Sequence, residues 1–463
     1  MRLDEAIAAL EPREIVSGGG PVELADLAYD VRQVSPGALF FCVPGAKADG
    51  HDFAPEAVER GAAAAVVERV LEIGVPQLVV PDSRAAMAVV ADAFFGFPTR
   101  ELTVAAVTGT NGKTTTAHLM LSILEAAGKR PGLLGNIERR VGAERRPAVL
   151  NTPEAIDLQR LFREMLDSGN ESVAMEASSH ASALHRLDRT RFAVLVFTNL
   201  TQDHLDFHGS MEDYFDAKRR LFAQADAAAV NVGDEYGRRL ADELPDALTF
   251  GVTGELAIGP ESLEGVDLKL RGGFNVENAL GALAAGRLLG IDDQTIRRGI
   301  EALEVVPGRF EPVEAGQPFQ VIVDFAHTPD SLERVLRAAR ELTEGRVICV
   351  FGAGGDRDRS KRPKMGRAVA DGADVVVVTS DNPRTEDPIA IIEDIVEGTG
   401  PGAEVEPDRA LAIERALRLA HEGDVVVIAG LSPEQGRHIG AESFPWDDRE
   451  VARDALRRIG AAA

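Results

Sequence analysis

Residues 108–116 read Thr-Gly-Thr-Asn-Gly-Lys-Thr-Thr-Thr and follow directly on the apolar run Leu102-Thr-Val-Ala-Ala-Val107. This is a strand, a glycine loop and the start of a helix, a unit that belongs to α/β folds. Gly109 and Gly112 let the backbone turn tightly with its N–H groups inward. Lys113 adds a positive charge, Thr114 offers a hydroxyl to a metal, and Thr110, Asn111 and Thr115 complete the loop. Helix-terminal amides, a lysine and Mg²⁺ together cradle a nucleotide triphosphate. Val107 stands where the common Gly-x4-Gly-Lys loop has its first glycine, so this is the shorter Gly-x-x-Gly-Lys-Thr form. A plain glycine-rich turn is the competing reading, and the strand before and helix after disfavour it.

A chain of 463 residues is too long for one ordinary domain. Its 45% hydrophobic content supplies packed cores, and scarce aromatics leave Val, Leu, Ala and Ile to fill them, as in α/β proteins. A formal charge of −25 argues against a general nucleic-acid binder, because phosphate backbones are repelled. It does not bear on a nucleotide substrate, whose site is local. Lysine is rare beside arginine, which makes each lysine slightly more informative than usual, although a biased genome composition explains the imbalance equally well. Cys42 and Cys349 sit in apolar runs without metal or redox spacing and read as buried thiols. The start lacks a signal-peptide core, and no apolar stretch approaches about 18 residues. No membrane span and a cytoplasmic location are expected.

Three segments are expected. Residues 1–98 hold short strands at 38–43, 64–67 and 77–80, then a helix from Ser83 to Phe95. Residues 99–306 alternate strands (102–107, 172–175, 193–197, 227–230) with helices, which implies a mainly parallel, P-loop-type sheet. Residues 307–463 repeat the alternation, with strands at 321–323, 346–351, 375–378 and 425–428 and helices at 331–342 and 410–421. They read as a second, Rossmann-like α/β sheet. Phe97-Pro98-Thr99 and Val306-Pro307-Gly308 punctuate the boundaries.

Ala174-Met-Glu-Ala-Ser-Ser-His180 ends a strand, where open α/β sheets present functional groups. Glu176 there can ligate Mg²⁺, which prefers hard oxygens, or can be an ordinary acidic loop residue. Asp203, His204, Asp206 and His208 crowd into one short stretch, which suggests either a metal or a polar network. Lys218, taken alone, reads as a solvated helix-surface lysine.

The order of these pieces resembles the Mur ligase family along nearly the whole chain. The shared motifs are Gly-Thr-Asn-Gly-Lys-Thr, Met-Glu-Ala-Ser-Ser-His, Thr-Asn-Leu-x-x-Asp-His-Leu-Asp-x-His-Gly and Ala-Lys218. Gly273-Phe-Asn-Val-Glu-Asn278, Pro307-Gly-Arg-Phe310, Asp324-Phe-Ala-His-Thr-Pro-Asp330, Phe351-Gly-Ala-Gly-Gly-Asp-Arg-Asp358 and Asp381-Asn-Pro-Arg384 follow. The resemblance implies three domains, for a UDP-sugar, for ATP and for an amino acid. It implies activation of a carboxylate as an acyl phosphate and attack by an incoming amine. On that basis Lys113 and Thr114 serve the ATP phosphates, and Thr114 and Glu176 hold one Mg²⁺. His204 and an N6-carboxylated Lys218 hold a second. Asn275, Asn278, Arg309 and Asp324 match adenine, phosphate and ribose contacts.

For the UDP-N-acetylmuramoyl peptide the matching positions are Asn151, Thr152, Ser178 and Arg186. For the amino acid they are Arg357, Asp381, Asn382, Pro383, Arg384, Gly430 and Glu434. In the family the Asp-Asn-Pro-Arg form accompanies meso-diaminopimelate, whose distal carboxylate the arginine grips; lysine-adding members lack it. The chain departs from the family at Val31, Asn151 and Leu184. It departs most where Ala-Gly-Lys-Gly-His-Glu becomes Ala429-Gly-Leu-Ser-Pro-Glu434. A cytoplasmic, monomeric ligase is the expectation. L-lysine or another diamino acid is the alternative acceptor. A folylpolyglutamate synthetase should lack the N-terminal segment and Asp-Asn-Pro-Arg. A non-catalytic, nucleotide-regulated binding protein should have lost Lys113, Glu176, His204 or Lys218.

Overall fold

The computed structural model describes residues 1–16, 22–45, 48–148, 151–254, 256–431, 436–440 and 442–462. Three sheets follow one another along the described chain, with a small two-stranded sheet near its end. The first runs, in space, Glu14–Val16, Gln77–Val79, Ala64–Val67, Ala38–Phe41 and Asp26–Ala28, and is parallel except for its first strand. The helix Ser83–Phe94 packs on it, with Asp82 capping its N-terminus through the Ala85 amide.

The central sheet has eight strands. Its parallel part runs Leu248–Phe250, Ala228–Asn231, Val194–Phe197, Thr103–Thr108, Ser172–Glu176, Pro131–Leu134. From Thr103–Thr108 the chain goes out to Pro131–Leu134, returns to Ser172–Glu176 and then crosses to Val194–Phe197. The direction therefore reverses at Thr103–Thr108, and the crevice beyond such a reversal is where open sheets bind ligands. The glycine loop begins there. Two antiparallel strands, Glu138–Val141 and Glu144–Pro147, extend the far edge. Their Glu and Arg residues hide them from a search for apolar runs. An edge that faces water tolerates those charges.

The helix Lys113–Ala126 lies between this sheet and the helices Gly273–Leu288 and Asp293–Ala302, and most of its residues are buried. That enclosure explains its lack of a polar face. The third sheet runs Glu311–Pro312, Gln320–Asp324, Val425–Ala429, Val347–Phe351, Val375–Val378, Glu404–Val405. All its pairings are parallel except the first. Its inner strands are buried on both faces, which is why they read as unbroken valine-rich runs. The fully buried Arg409 grips Asp448 (Nε–Oδ1 2.9 Å) and so fixes the C-terminal helix Asp448–Ala462.

The predicted strands and helices are found with ends shifted by one or two residues. Cys42 and Cys349 are buried and unpaired, and burial pushes both thiols up to about 12. No helix among the described residues is long and apolar enough to cross a membrane.

Candidate active site

The glycine loop is built as its residue types require. Gly109 has φ +151° and Gly112 φ +86°, where only glycine is at ease. A Cβ at Gly109 would collide with Thr198 Oγ1, and one at Gly112 with Asn278 Oδ1. The loop is pinned to the end of the neighbouring strand: the Asn111 amide donates to Asn199 Oδ1 at 2.9 Å, and Thr198 Oγ1 donates to the Asn111 carbonyl at 2.7 Å. The first-turn amides of Lys113–Ala126 open above it. Lys113 Nζ curls back to the carbonyls of Gly109 (3.0 Å) and Thr110 (2.6 Å). Burial lowers the Lys113 amine from its usual range, opposed by the carboxylates of Glu176 and Asp203.

A cavity of about 780 Å³ spreads over the loop and reaches the third sheet. Thr110, Asn111, Gly112, Lys113, Thr114 and Thr115 line it. So do Glu176, His204, Lys218, Asn278, Arg309 and Asp324. Toward its other end it is lined by Asn151, Thr152, Ser178, Arg186, Arg357, Asp381, Asn382, Arg384 and Gly430. Among the predicted site residues that are described, Gly109, Asn275 and Pro383 do not line it. Gly109 has its carbonyl taken by Lys113 and Lys218 Nζ, Asn275 accepts from Asn278 Nδ2 at 2.9 Å, and the Pro383 carbonyl accepts the Glu386 amide at 3.0 Å. Glu434 lies outside the described residues.

Lys218 is not the solvated helix lysine that its local sequence suggests. It is 1% exposed, and Nζ donates to the Gly109 carbonyl at 2.7 Å while lying 4.6 Å from the Tyr214 ring centroid. The helix Met211–Arg219 turns this face inward, because Tyr214 and Phe215 on it belong to the core. Burial, and then the charge of Lys113, hold the Lys218 amine well below its usual range.

The Asp203–His208 stretch forms a polar and aromatic network. Among the described residues, no group of three His, Cys, Asp or Glu side chains is arranged to hold a metal by itself. The His180 and His204 rings meet edge to face at 4.6 Å, and His208 stacks on Tyr214 at 5.0 Å. Burial pushes His204 down to about 2, so its imidazole is neutral. Burial raises the acid of Asp203, but the hydrogen bond to His327 and the charge of Lys361 outweigh that and hold it well below the carboxylate range.

Lys361 escaped sequence reasoning. It is 5% exposed, and its Nζ reaches from the third sheet's side to Asp203 Oδ1 at 3.2 Å. The scarcity of lysine was the signal that could have found it. Asn111 Nδ2 likewise donates to Asp330 Oδ2 at 2.8 Å, and Arg309 Nη2 to Thr114 Oγ1 at 3.1 Å. The third sheet's unit therefore closes over the glycine loop. Glu176, 1% exposed, accepts the Asn136 amide at 2.8 Å. Asp324 accepts the amides of Phe310 and Ala326, both at 2.7 Å, and burial raises its acid. Arg186 bridges Glu154 (2.7 Å) and the Thr152 carbonyl (3.2 Å). Arg384 donates to the Gly355 carbonyl at 2.5 Å. Gly430 passes so close to Asp381 that a Cβ would lie 2.5 Å from its carboxylate.

Comparison with known proteins gives the same arrangement of parts. Residues 24–95 match the Mur ligase family catalytic domain, 107–286 the Mur ligase middle domain, and 308–431 the Mur ligase glutamate ligase domain. The UDP-N-acetylmuramoyl-L-alanyl-D-glutamate–2,6-diaminopimelate ligase of Solibacter usitatus is 44% identical, over 99% of each chain. The ligase of that name from Streptomyces coelicolor is 44% identical over 96% of this chain and 94% of its own. A solved structure of such a diaminopimelate ligase superposes with a TM-score of 0.64 at 30% identity, covering 94% of this chain and 95% of that one. The MurF ligase from Thermotoga maritima in complex with ADP shares the fold, with a TM-score of 0.62 at 20% identity, over 96% of this chain and 99% of its own. Matched from end to end by relatives and across all three sheets by family models, the chain belongs to the Mur ligase family of ATP-dependent, amide-forming enzymes.

Proposed function

We propose that the protein joins an amine of meso-diaminopimelate to the D-glutamyl carboxylate of UDP-N-acetylmuramoyl-L-alanyl-D-glutamate, splitting ATP to ADP and phosphate. The observation that carries this reading is the single cavity running from the glycine loop past Arg186 to Arg384. A triphosphate, a carboxylate and an amine can meet along it. The carboxylate oxygen attacks the γ-phosphorus, ADP leaves, and an acyl phosphate remains. The amine then attacks the acyl carbon, phosphate departs, and a proton is released. Both steps build negative charge on oxygens, so fixed donors near them are the main catalytic device. Lys113, Arg309 and the first-turn amides serve the phosphates, Arg186 the peptide's anionic end, and Arg357 and Arg384 the acceptor.

The donor set also fits Mg²⁺. Glu176 is a buried carboxylate lining the cavity, and Thr114, with its hydroxyl, lines the same cavity. Mg²⁺ is commonly held by one or two carboxylates plus phosphate oxygens and water, and when bound it neutralises phosphate charge. We assign a second ion to His204 and an N6-carboxylated Lys218. A buried, uncharged lysine amine can add to CO₂ to give the carboxylate and a released proton. We assign residues 1–98 to the UDP end, 99–306 to ATP and 307–463 to the amino acid. The described cavity lining spans Thr110 to His438, so the uridine is expected beyond it, along the N-terminal unit. The enzyme acts as a cytoplasmic monomer.

The test is ADP release by the purified protein with Mg²⁺, the nucleotide-sugar dipeptide, and diaminopimelate, L-lysine or ornithine side by side. Release that ignores the dipeptide sinks the assignment. In the same assay Arg384→Ala is expected to lose roughly 2–4 kcal/mol of kcat/KM for diaminopimelate, since truncating one partner of a desolvated ion pair costs about that much. L-Lysine, with no distal carboxylate, should change little. Equal losses for both acceptors would remove Arg384 as the specificity residue.

A further inference from the structure

We propose that His438 is a further acceptor-binding residue, its imidazole donating a hydrogen bond to the carboxylate that Arg384 grips. The inference deepens the reading above and rests on it. His438 lies on the strand Arg437–Ile439 of the small C-terminal sheet. Successive side chains of a strand point to opposite sides. Arg437 takes one side, with its guanidinium 4.8 Å from the Trp446 ring centroid and Nη2 3.3 Å from Ser380 Oγ. His438 takes the other and lines the cavity beside Arg357, Asp381 and Arg384.

The acceptor loop itself fixes the strand. The His438 amide donates to Asn382 Oδ1 at 2.7 Å, and the Arg384 amide donates to the His438 carbonyl at 3.1 Å. The Gly440 amide closes the unit by donating to the Arg384 carbonyl at 2.6 Å. These bonds tie the backbone of 438–440 to that of 382–384, and both His438 and Arg384 line the same cavity. The imidazole is half-buried and makes no hydrogen bond or ion pair to another described residue. An imidazole carries an N–H donor in its neutral form as well as its charged one. Two arginines and a histidine at one end of a cavity form a donor cluster suited to a carboxylate.

The test is steady-state kinetics of the full-length wild type, His438→Ala and His438→Gln with meso-diaminopimelate and with L-lysine. His438→Ala is expected to raise KM for diaminopimelate roughly tenfold, the scale of one hydrogen bond to a charged group. Its kcat and its KM for ATP should stay within about twofold of wild type, as should its KM for L-lysine. His438→Gln restores most of the loss, because its amide N–H is again a donor. An unchanged KM in His438→Ala, or an equal rise for both amino acids, or no recovery in His438→Gln, overturns the inference while the wild type still uses diaminopimelate. A wild type that ignores diaminopimelate overturns the reading of the reaction, and this inference falls with it.

Discussion

Lys218→Ala is expected to fold normally and to be nearly inactive, with kcat down by roughly a thousandfold or more, about 4 kcal/mol of barrier. The reason lies in where the amine sits. Nζ is fully enclosed and donates at 2.7 Å to the carbonyl of Gly109, a residue of the glycine loop itself. Burial and the charge of Lys113 favour its neutral form, which is the wrong state for a structural salt bridge and the right one for taking up CO₂. A carboxylated Lys218 would bring anionic oxygens to the cavity that His204 also lines, and burial holds the His204 imidazole neutral and able to ligate. Formate or acetate added to Lys218→Ala should restore part of the activity by returning oxygen ligands to the gap. The measurements are kcat with and without the added carboxylate, and a thermal melt. Activity within tenfold of wild type would take Lys218 out of the chemistry and leave it as a donor to the loop.

Lys113→Met is expected to lower kcat/KM for ATP by roughly a thousandfold, since removing one well-placed donor at developing negative charge costs about 2.7–4 kcal/mol. The same substitution should leave the melting temperature of the ligand-free protein unchanged or raise it. Lys113 is buried, and burial disfavours its charge. Among the described residues, its hydrogen-bond partners are two backbone carbonyls of its own loop, Gly109 and Thr110. The cation is therefore held at a cost that an incoming triphosphate offsets, which is the signature of a site arranged for an anion. Methionine keeps the length of the side chain and removes the charge. Steady-state kinetics at varied ATP and melting curves of the two proteins read both halves of the prediction. A variant that melts well below wild type, with ATP kinetics unaltered, would make Lys113 a structural residue.

The parts of the site that were legible in the sequence are those whose residue types are forced by backbone geometry. Gly109 and Gly112 are glycines because a Cβ would strike Thr198 and Asn278. The strand before them is apolar because both of its faces are covered. What escaped were elements and contacts without a local pattern. The strands 138–141, half-buried, and 144–147, on the exposed edge, carry Glu and Arg residues, so no apolar alternation betrays them. Lys361 lies in a 3₁₀ turn with arginines around it, and only the approach of the third sheet's unit to Asp203 buries it. The strand that carries His438 is short and follows a segment where the family pattern breaks off.

By itself, the sequence determined the α/β class, the glycine loop and the family. Each follows from interactions between residues close in the chain, such as a turn that needs glycine, a helix start or an apolar strand, or from a fixed order of motifs. Only the tertiary structure decided which side chains share a cavity. Lys218 and Lys361 look alike in sequence as polar residues near helix ends. One is turned under the glycine loop by the aromatic core behind Tyr214, and the other is brought to Asp203 from 158 residues away. Helical periodicity says which face a residue occupies, but what covers that face is set by packing between units far apart in the chain.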